Sequence, residues 1–175
     1  MLSTRAANLP AMLVGVALVL SACGGGAEGS ANNADVVRVP TNLCTLLSAA
    51  DIGQATGRAF PEPQLTQKGF GEQDCRSVPT SGNTVSFKMY WGDCVDGKPP
   101  NMDCLNSVSG AFATNKQQTI SQIQPIAGLG DQAFCIPAPF ATVEVLKRWF
   151  YLSVVADACP QAQKLARMLL TKLGQ

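Results

Sequence analysis

The side chains of this chain with chemistry to offer are seven cysteines and 12 carboxylates, and all 175 residues lack histidine. A serine or cysteine nucleophile usually needs a nearby general base, most often histidine, so the common catalytic triads are excluded. A carboxylate pair is the remaining hydrolytic option. Glu62, Glu72, Asp74 and Glu144 fall in loop or strand-surface contexts, however, and nothing in their spacing brings two of them together. Solvated acids are the ordinary occupants of such positions. No catalytic residue is assigned, and the chain is not expected to be an enzyme.

Metal and phosphate chemistry are equally poorly served. Structural zinc sites use closely spaced cysteine pairs, often with histidine, and this chain has neither a Cys-x-x-Cys nor a histidine. Asp93-Cys94-Val95-Asp96 and Asp103 gather carboxylates without the alternating ligand spacing of a calcium loop. Gly24-Gly25-Gly26 and Gly128-Leu129-Gly130 do not lead from a strand into a helix with a lysine behind, as a phosphate loop must. Neither a metal nor a cofactor is expected.

The first thiol has a different destiny. Met1–Pro10 carries one charge, Arg5, and is followed by an uncharged apolar run over Ala11–Leu20. That run is too short to span a bilayer, which takes about 20 apolar residues, and suits a secretory leader core of roughly 7 to 15. Leu20-Ser21-Ala22-Cys23 then resembles the lipobox of bacterial lipoproteins, residue for residue. The resemblance implies diacylglyceryl transfer to the Cys23 thiol and cleavage between Ala22 and Cys23. Residues 1–22 are then a signal peptide. Residues 23–35, rich in Gly, Ser and Asn, read as a lipidated, flexible tether with a typical span of about 20 Å. Two or more acyl chains hold a protein durably where one does not. The expected location is the extracytoplasmic face of the cell membrane, with the membrane itself as a partner through Cys23.

Export puts the other six thiols, Cys44, Cys75, Cys94, Cys104, Cys135 and Cys159, in an oxidising compartment. An even number implies three disulfides, and six cysteines allow 15 pairings among which sequence cannot choose. The sequential set is preferred. Cys94 and Cys104 flank a Gly/Pro-bearing loop that can close locally, Cys135 and Cys159 bracket a hairpin, and Cys44 takes Cys75 by elimination.

Residues 36–175 are one domain's worth of chain, enough to bury roughly two-thirds of its unfolded surface. Losing Arg5 leaves 12 basic against 12 acidic residues, scattered rather than striped, so a nucleic-acid partner is not expected. Ser48 with Asp51 three positions on predicts a capped helix ending at Gly57. An extended piece centres on Cys75, and Thr84–Trp91 alternates as a half-buried strand does, with Val85, Phe87, Met89 and Trp91 on one side. Met102, Leu105, Val108 and Phe112 recur at helical spacing behind Pro99 and Pro100. Thr119–Gln124 and Gln132–Ile136 read as strands. Thr142–Leu146 and Trp149–Ala156 form a hairpin around Lys147-Arg148, its second strand apolar enough to be central. Pro160 opens a last helix with Ala162, Leu165, Ala166, Leu169 and Leu173 inward. Helices and hairpins without regular alternation predict an α+β fold, a twisted and mainly antiparallel sheet with helices on one face, stapled by disulfides.

The helix start Cys44-Thr45-Leu46-Leu47-Ser48-Ala49-Ala50-Asp51-Ile52 ending at Gly57, the lone Cys75, and Gly128-Leu129-Gly130-Asp131-Gln132-Ala133-Phe134 together resemble an actinobacterial lipoprotein family, catalogued as domain of unknown function 3558. The resemblance spans nearly all of the chain after the tether. It implies a cell-envelope lipoprotein and brings no catalytic residue. The expected role is therefore a binding or accessory module of the envelope, its ligand a lipid, a wall component or a protein. The alternative is a carboxylate-dependent hydrolase of the envelope. Phe60, Phe70, Trp91 and Phe140 are candidate contacts, with core packing the ordinary fate of such rings.

Overall fold

The computed structural model describes residues 36–119, 122–137 and 139–175. The leader, Ala22, Cys23 and the tether lie outside those residues, as does the middle of the strand expected over Thr119–Gln124. A 3-10 turn, Leu43–Leu46, leads into α1 (Ala49–Thr56). The capping box reads as its sequence requires: Ser48 Oγ accepts from the Asp51 N–H at 3.1 Å, and Asp51 Oδ2 accepts from the Ser48 N–H at 2.9 Å. Three strands follow as a meander, β1 (Gln64–Gly69), β2 (Glu72–Ser77) and β3 (Val85–Tyr90), and then α2 (Met102–Gln118). A second meander, β4 (Gln124–Pro125), β5 (Gln132–Ile136), β6 (Ala141–Lys147) and β7 (Phe150–Ala156), ends in α3 (Cys159–Lys172). The seven strands form one antiparallel sheet in the order β1-β2-β3-β7-β6-β5-β4. The apolar β7 stands at its centre, where both faces are covered.

The register sorts side chains by face. Cys75, Phe87 and Met89 share one side with Leu152, Val154, Val143, Val145 and Cys135, and this side takes α3, α1 and the 3-10 turn. Ala162, Leu165, Ala166 and Leu169 of α3 are buried there, as their spacing predicted. Gln73 is buried among them and bonded through both amide atoms: its Oε1 accepts from the Leu43 N–H at 2.8 Å and its Nε2 donates to Pro40 O at 3.0 Å. All three disulfides follow the sequential pairing, Cys44–Cys75, Cys94–Cys104 and Cys135–Cys159. Each joins the sheet, or the loop leaving it, to the start of a helical segment: β2 to the 3-10 turn, the loop after β3 to α2, and β5 to α3.

The α+β class, the antiparallel sheet and the disulfide staples are as expected, but the helices divide between the two faces. Phe134, Glu144, Tyr151 and Ser153 point to the side opposite α3, and α2 lies over them, the Phe112 ring 5.4 Å from Phe134 and 6.3 Å from Tyr151. A central strand carrying aromatic rings on both sides cannot leave either to water. Other boundaries shift for local reasons. β1 escaped the sequence reading because all six of its residues are exposed at a sheet edge and show no apolar alternation. Of the strand expected over Thr119–Gln124, the described residues form strand only at its end, in the two-residue β4, Gln124–Pro125. Met102 is exposed, and Cys104 takes its place beside Val108 and Phe112, drawn inward by its disulfide.

The hairpin loop is Arg148-Trp149 rather than Lys147-Arg148, with Arg148 left-handed at φ 46° and Trp149 buried. The Gly128–Asp131 segment braces this turn. Asp131 Oδ2 accepts from the Arg148 N–H at 2.6 Å, Asp131 Oδ1 accepts from Lys147 Nζ at 3.0 Å, and the Asp131 N–H donates to Leu146 O at 2.8 Å. A Cβ at Gly130, whose φ is 63°, would stand 2.5 Å from Leu146 O, so only glycine allows the approach.

Candidate functional site

The helix α2 is positioned by few contacts, and that creates the cavities beside it. Asn101 Oδ1 caps it, accepting from the Cys104 N–H at 2.9 Å. Cys104, Val108 and Phe112 are its buried side chains, and none of the residues from Ala113 to Gln118 is buried. A helix seated by three side chains on a pleated surface leaves a groove along each flank.

One groove is apolar. Phe112 and Ala113 of α2 face Ile123 and Leu146 across a cavity of about 740 Å³, with Gln117, Gln132 and the exposed Lys116 among its polar lining. The Lys116 ammonium stands 5.9 Å from the centroid of the Phe134 ring, near enough for a weak cation–π attraction. The other groove is polar. Thr114, Asn115 and Gln118 of α2 face Lys88, Glu144, Tyr151 and Ser153 of the sheet around about 480 Å³.

Glu144 is the exceptional group on that side. It is only 2 % exposed, which corrects its expected place on the strand surface. Val143 and Val145 point into the core on α3's side, so alternation put Glu144 on the other face, and α2 then covered it. Its Oε1 accepts from Ser153 Oγ at 2.9 Å, and its Oε2 has no partner in hydrogen-bond geometry. Burial pushes the carboxyl up to about 7, against the opposing influence of the Ser153 hydroxyl, the nearby Asn115 carboxamide and the Lys88 charge. Tyr151 is pushed up to about 12, first by burial and then by the negative charges of Glu144 and Glu72. Glu144 can therefore hold or release a proton near neutral pH. The cavity lining supplies no second carboxylate to work with it.

The other flagged acids have local structural tasks. Glu62 accepts from the Ala49 N–H at 3.1 Å, at the start of α1. Glu72 pairs with Lys88 at 3.9 Å, and Asp74 accepts from Thr66 Oγ1 at 3.1 Å. Asp96 accepts from the Val39 N–H at 2.9 Å. No group of three or more Cys, Asp or Glu among the described residues is placed to hold a metal ion. Of the four flagged rings, Phe60 is buried beneath the Arg58 guanidinium at 5.1 Å and Trp91 is partly buried, whereas Phe70 and Phe140 are exposed. Sequence reasoning missed the groove and Glu144 together. Phe134, Leu146 and Tyr151 lie on the same side of the sheet as Glu144, but only the register of the paired strands brings them together there. Compared with family models, with curated proteins and with solved structures, the chain has no match.

Proposed function

We propose that this is a lipid-anchored protein of the extracytoplasmic membrane face, held by Cys23, that binds a small amphiphile in the groove between α2 and the β5–β6 strands. The observation that carries the reading is that groove: Phe112, Ala113, Ile123 and Leu146 offer apolar walls, and Lys116 offers a cation for an anionic head group. Its volume of about 740 Å³ falls in the range of roughly 300 to 1,000 Å³ usual for small-molecule sites. Apolar walls with a few polar groups at the edge suit a ligand with a hydrocarbon part and a polar end. The sparse seating of α2 lets the wall move to admit it.

Mass spectrometry of organic extracts from the acylated protein, followed by titration with a fluorescent fatty acid, tests this. Ala113→Trp fills the groove from an exposed helical position and should abolish probe binding while leaving the fold intact. A wild-type protein that carries no extractable amphiphile and takes up no probe defeats the proposal. The anchor is tested separately, since Cys23→Ser should move the protein out of the membrane fraction. A carboxylate-dependent hydrolase is the second reading, favoured by Glu144 alone, whose proton is available near neutral pH. Glycosidase chemistry ordinarily takes two facing carboxyl groups, and a single one in this cavity favours binding over hydrolysis.

A further inference from the structure

Six large apolar side chains are exposed among the described residues, and they divide between the two ends of the sheet. Phe70, Met102 and Val95, at 88 %, 67 % and 61 %, are the three most exposed. All three belong to the end where β1 turns into β2 and β3 leaves the sheet. The backbone ties them together. Phe70 sits in the β1–β2 turn, whose next residue, Gly71, accepts at its carbonyl from the Trp91 N–H at 2.7 Å and the Gly92 N–H at 3.1 Å. A Cβ at Gly71, with φ 75°, would come 2.6 Å from Gly92 O, so the turn is pressed against the loop leaving β3. Val95, in that loop, and Met102, the first residue of α2, both lie within the segment closed by the Cys94–Cys104 bridge, where the Cα atoms of the bridged residues are 4.4 Å apart.

The described chain also begins at this end. The Val37 N–H donates to Lys98 O at 2.9 Å and Val37 O accepts from the Gly97 N–H at 3.0 Å, fixing the first residues after the tether to the loop that carries Val95. Single exposed apolar residues need no explanation, but three at the point where an anchored chain enters the fold are a surface with a direction. We propose that this end of the sheet rests on the bilayer that holds the anchor, with Phe70 entering the interfacial region beside Val95 and Met102. The proposal rests on the acylation of Cys23.

A Gly-rich chain of 13 residues, the length of 23 to 35, has a typical span of about 20 Å, which corresponds to an effective concentration on the order of millimolar at the lipid surface once Cys23 is acylated. A contact too weak to recruit a free protein is then occupied most of the time. Lys68 and Lys98 at this end stand among Glu72, Asp93, Asp96 and Asp103, so the described residues present no basic cluster to seek anionic lipid and the contact is apolar.

The test uses the full acylated protein in phosphatidylcholine vesicles, with and without lipids brominated in their chains. Phe70→Trp should add emission that is blue-shifted on vesicles and quenched at least twofold by the brominated lipid. Val78→Trp, on an exposed residue at the opposite end, should add emission that brominated lipid leaves unchanged. Raising the salt should not alter either result. Equal quenching of the two variants, or none in either, overturns the docking while leaving the anchor intact, provided the protein floats with the vesicles. A protein that does not float, or whose Cys23 carries no acyl mass, overturns both.

Discussion

Replacing Glu144 by glutamine removes the one buried carboxyl beneath α2 while keeping its shape and its acceptor for Ser153, which donates at 2.9 Å. Burial raises this group from 4.5 to about 7, and by linkage that rise corresponds to about 3 kcal/mol of stability. The sign follows from proton counting. Between 4.5 and about 7 the folded chain keeps a proton that the unfolded chain has released, so stability falls as pH rises through that window and is level on either side. Glu144→Gln has nothing to titrate there. Its stability minus that of the wild type should grow by about 3 kcal/mol between about pH 4 and about pH 8, in favour of glutamine. Urea unfolding with the disulfides intact measures both proteins at each pH. Asp51 and Asp131 sit below the usual carboxylate range and weaken the fold on the acid side, but they do so in both proteins and cancel in the difference. The amide that takes the place of the unpartnered Oε2 adds an offset that does not depend on pH and so drops out of the change between the two ends of the range. A difference that is the same at both ends of the pH range refutes the claim that α2 buries a carboxyl.

Two further outcomes probe the devices that hold the site in place. Removing the Cys94–Cys104 bridge by Cys94→Ala with Cys104→Ala should cost about 2 to 3 kcal/mol, as expected for a short closed loop. Native-state hydrogen exchange should rise in α2 well before it rises in β7; uniform exchange across both would show that the bridge does not seat the helix. Asp131→Ala withdraws the acceptor of the Arg148 N–H and the Lys147 ammonium at the β6–β7 turn. The expected cost is about 1 to 2 kcal/mol in urea unfolding, and a value near zero would mean that water replaces the carboxylate without loss.

The two grooves share α2 as a wall, so ligand occupancy and the state of Glu144 bear on the same element. A ligand that lifts α2 to enter its groove opens Glu144 to water and favours its ionised form. Binding near neutral pH should then release protons, and calorimetric titration in buffers of different ionisation enthalpy reads that release directly.

Local chemistry was legible in the residues themselves. The Ser48–Asp51 box, the alternation of Val85, Phe87 and Met89, and the inward stripe of α3 each follow from periods of 3.6 or 2 that a short window contains. The sequential disulfides were reachable too, because each pairs neighbours in the order of the chain. The site was not. Alternation tells that Glu144 faces away from Val143 and Val145, but not what lies on that side; water and a helix give the same pattern in β6. Whether a strand's second face is wet depends on a crossover elsewhere in the chain, here α2, brought over it by Asn101, Cys104 and Phe112 from a distant segment. Burial of a carboxyl, the grooves beside the covering helix and the gathering of Phe70, Val95 and Met102 at one end arise only when segments far apart in sequence meet, because solvent access depends on the whole fold rather than on any local stretch of it.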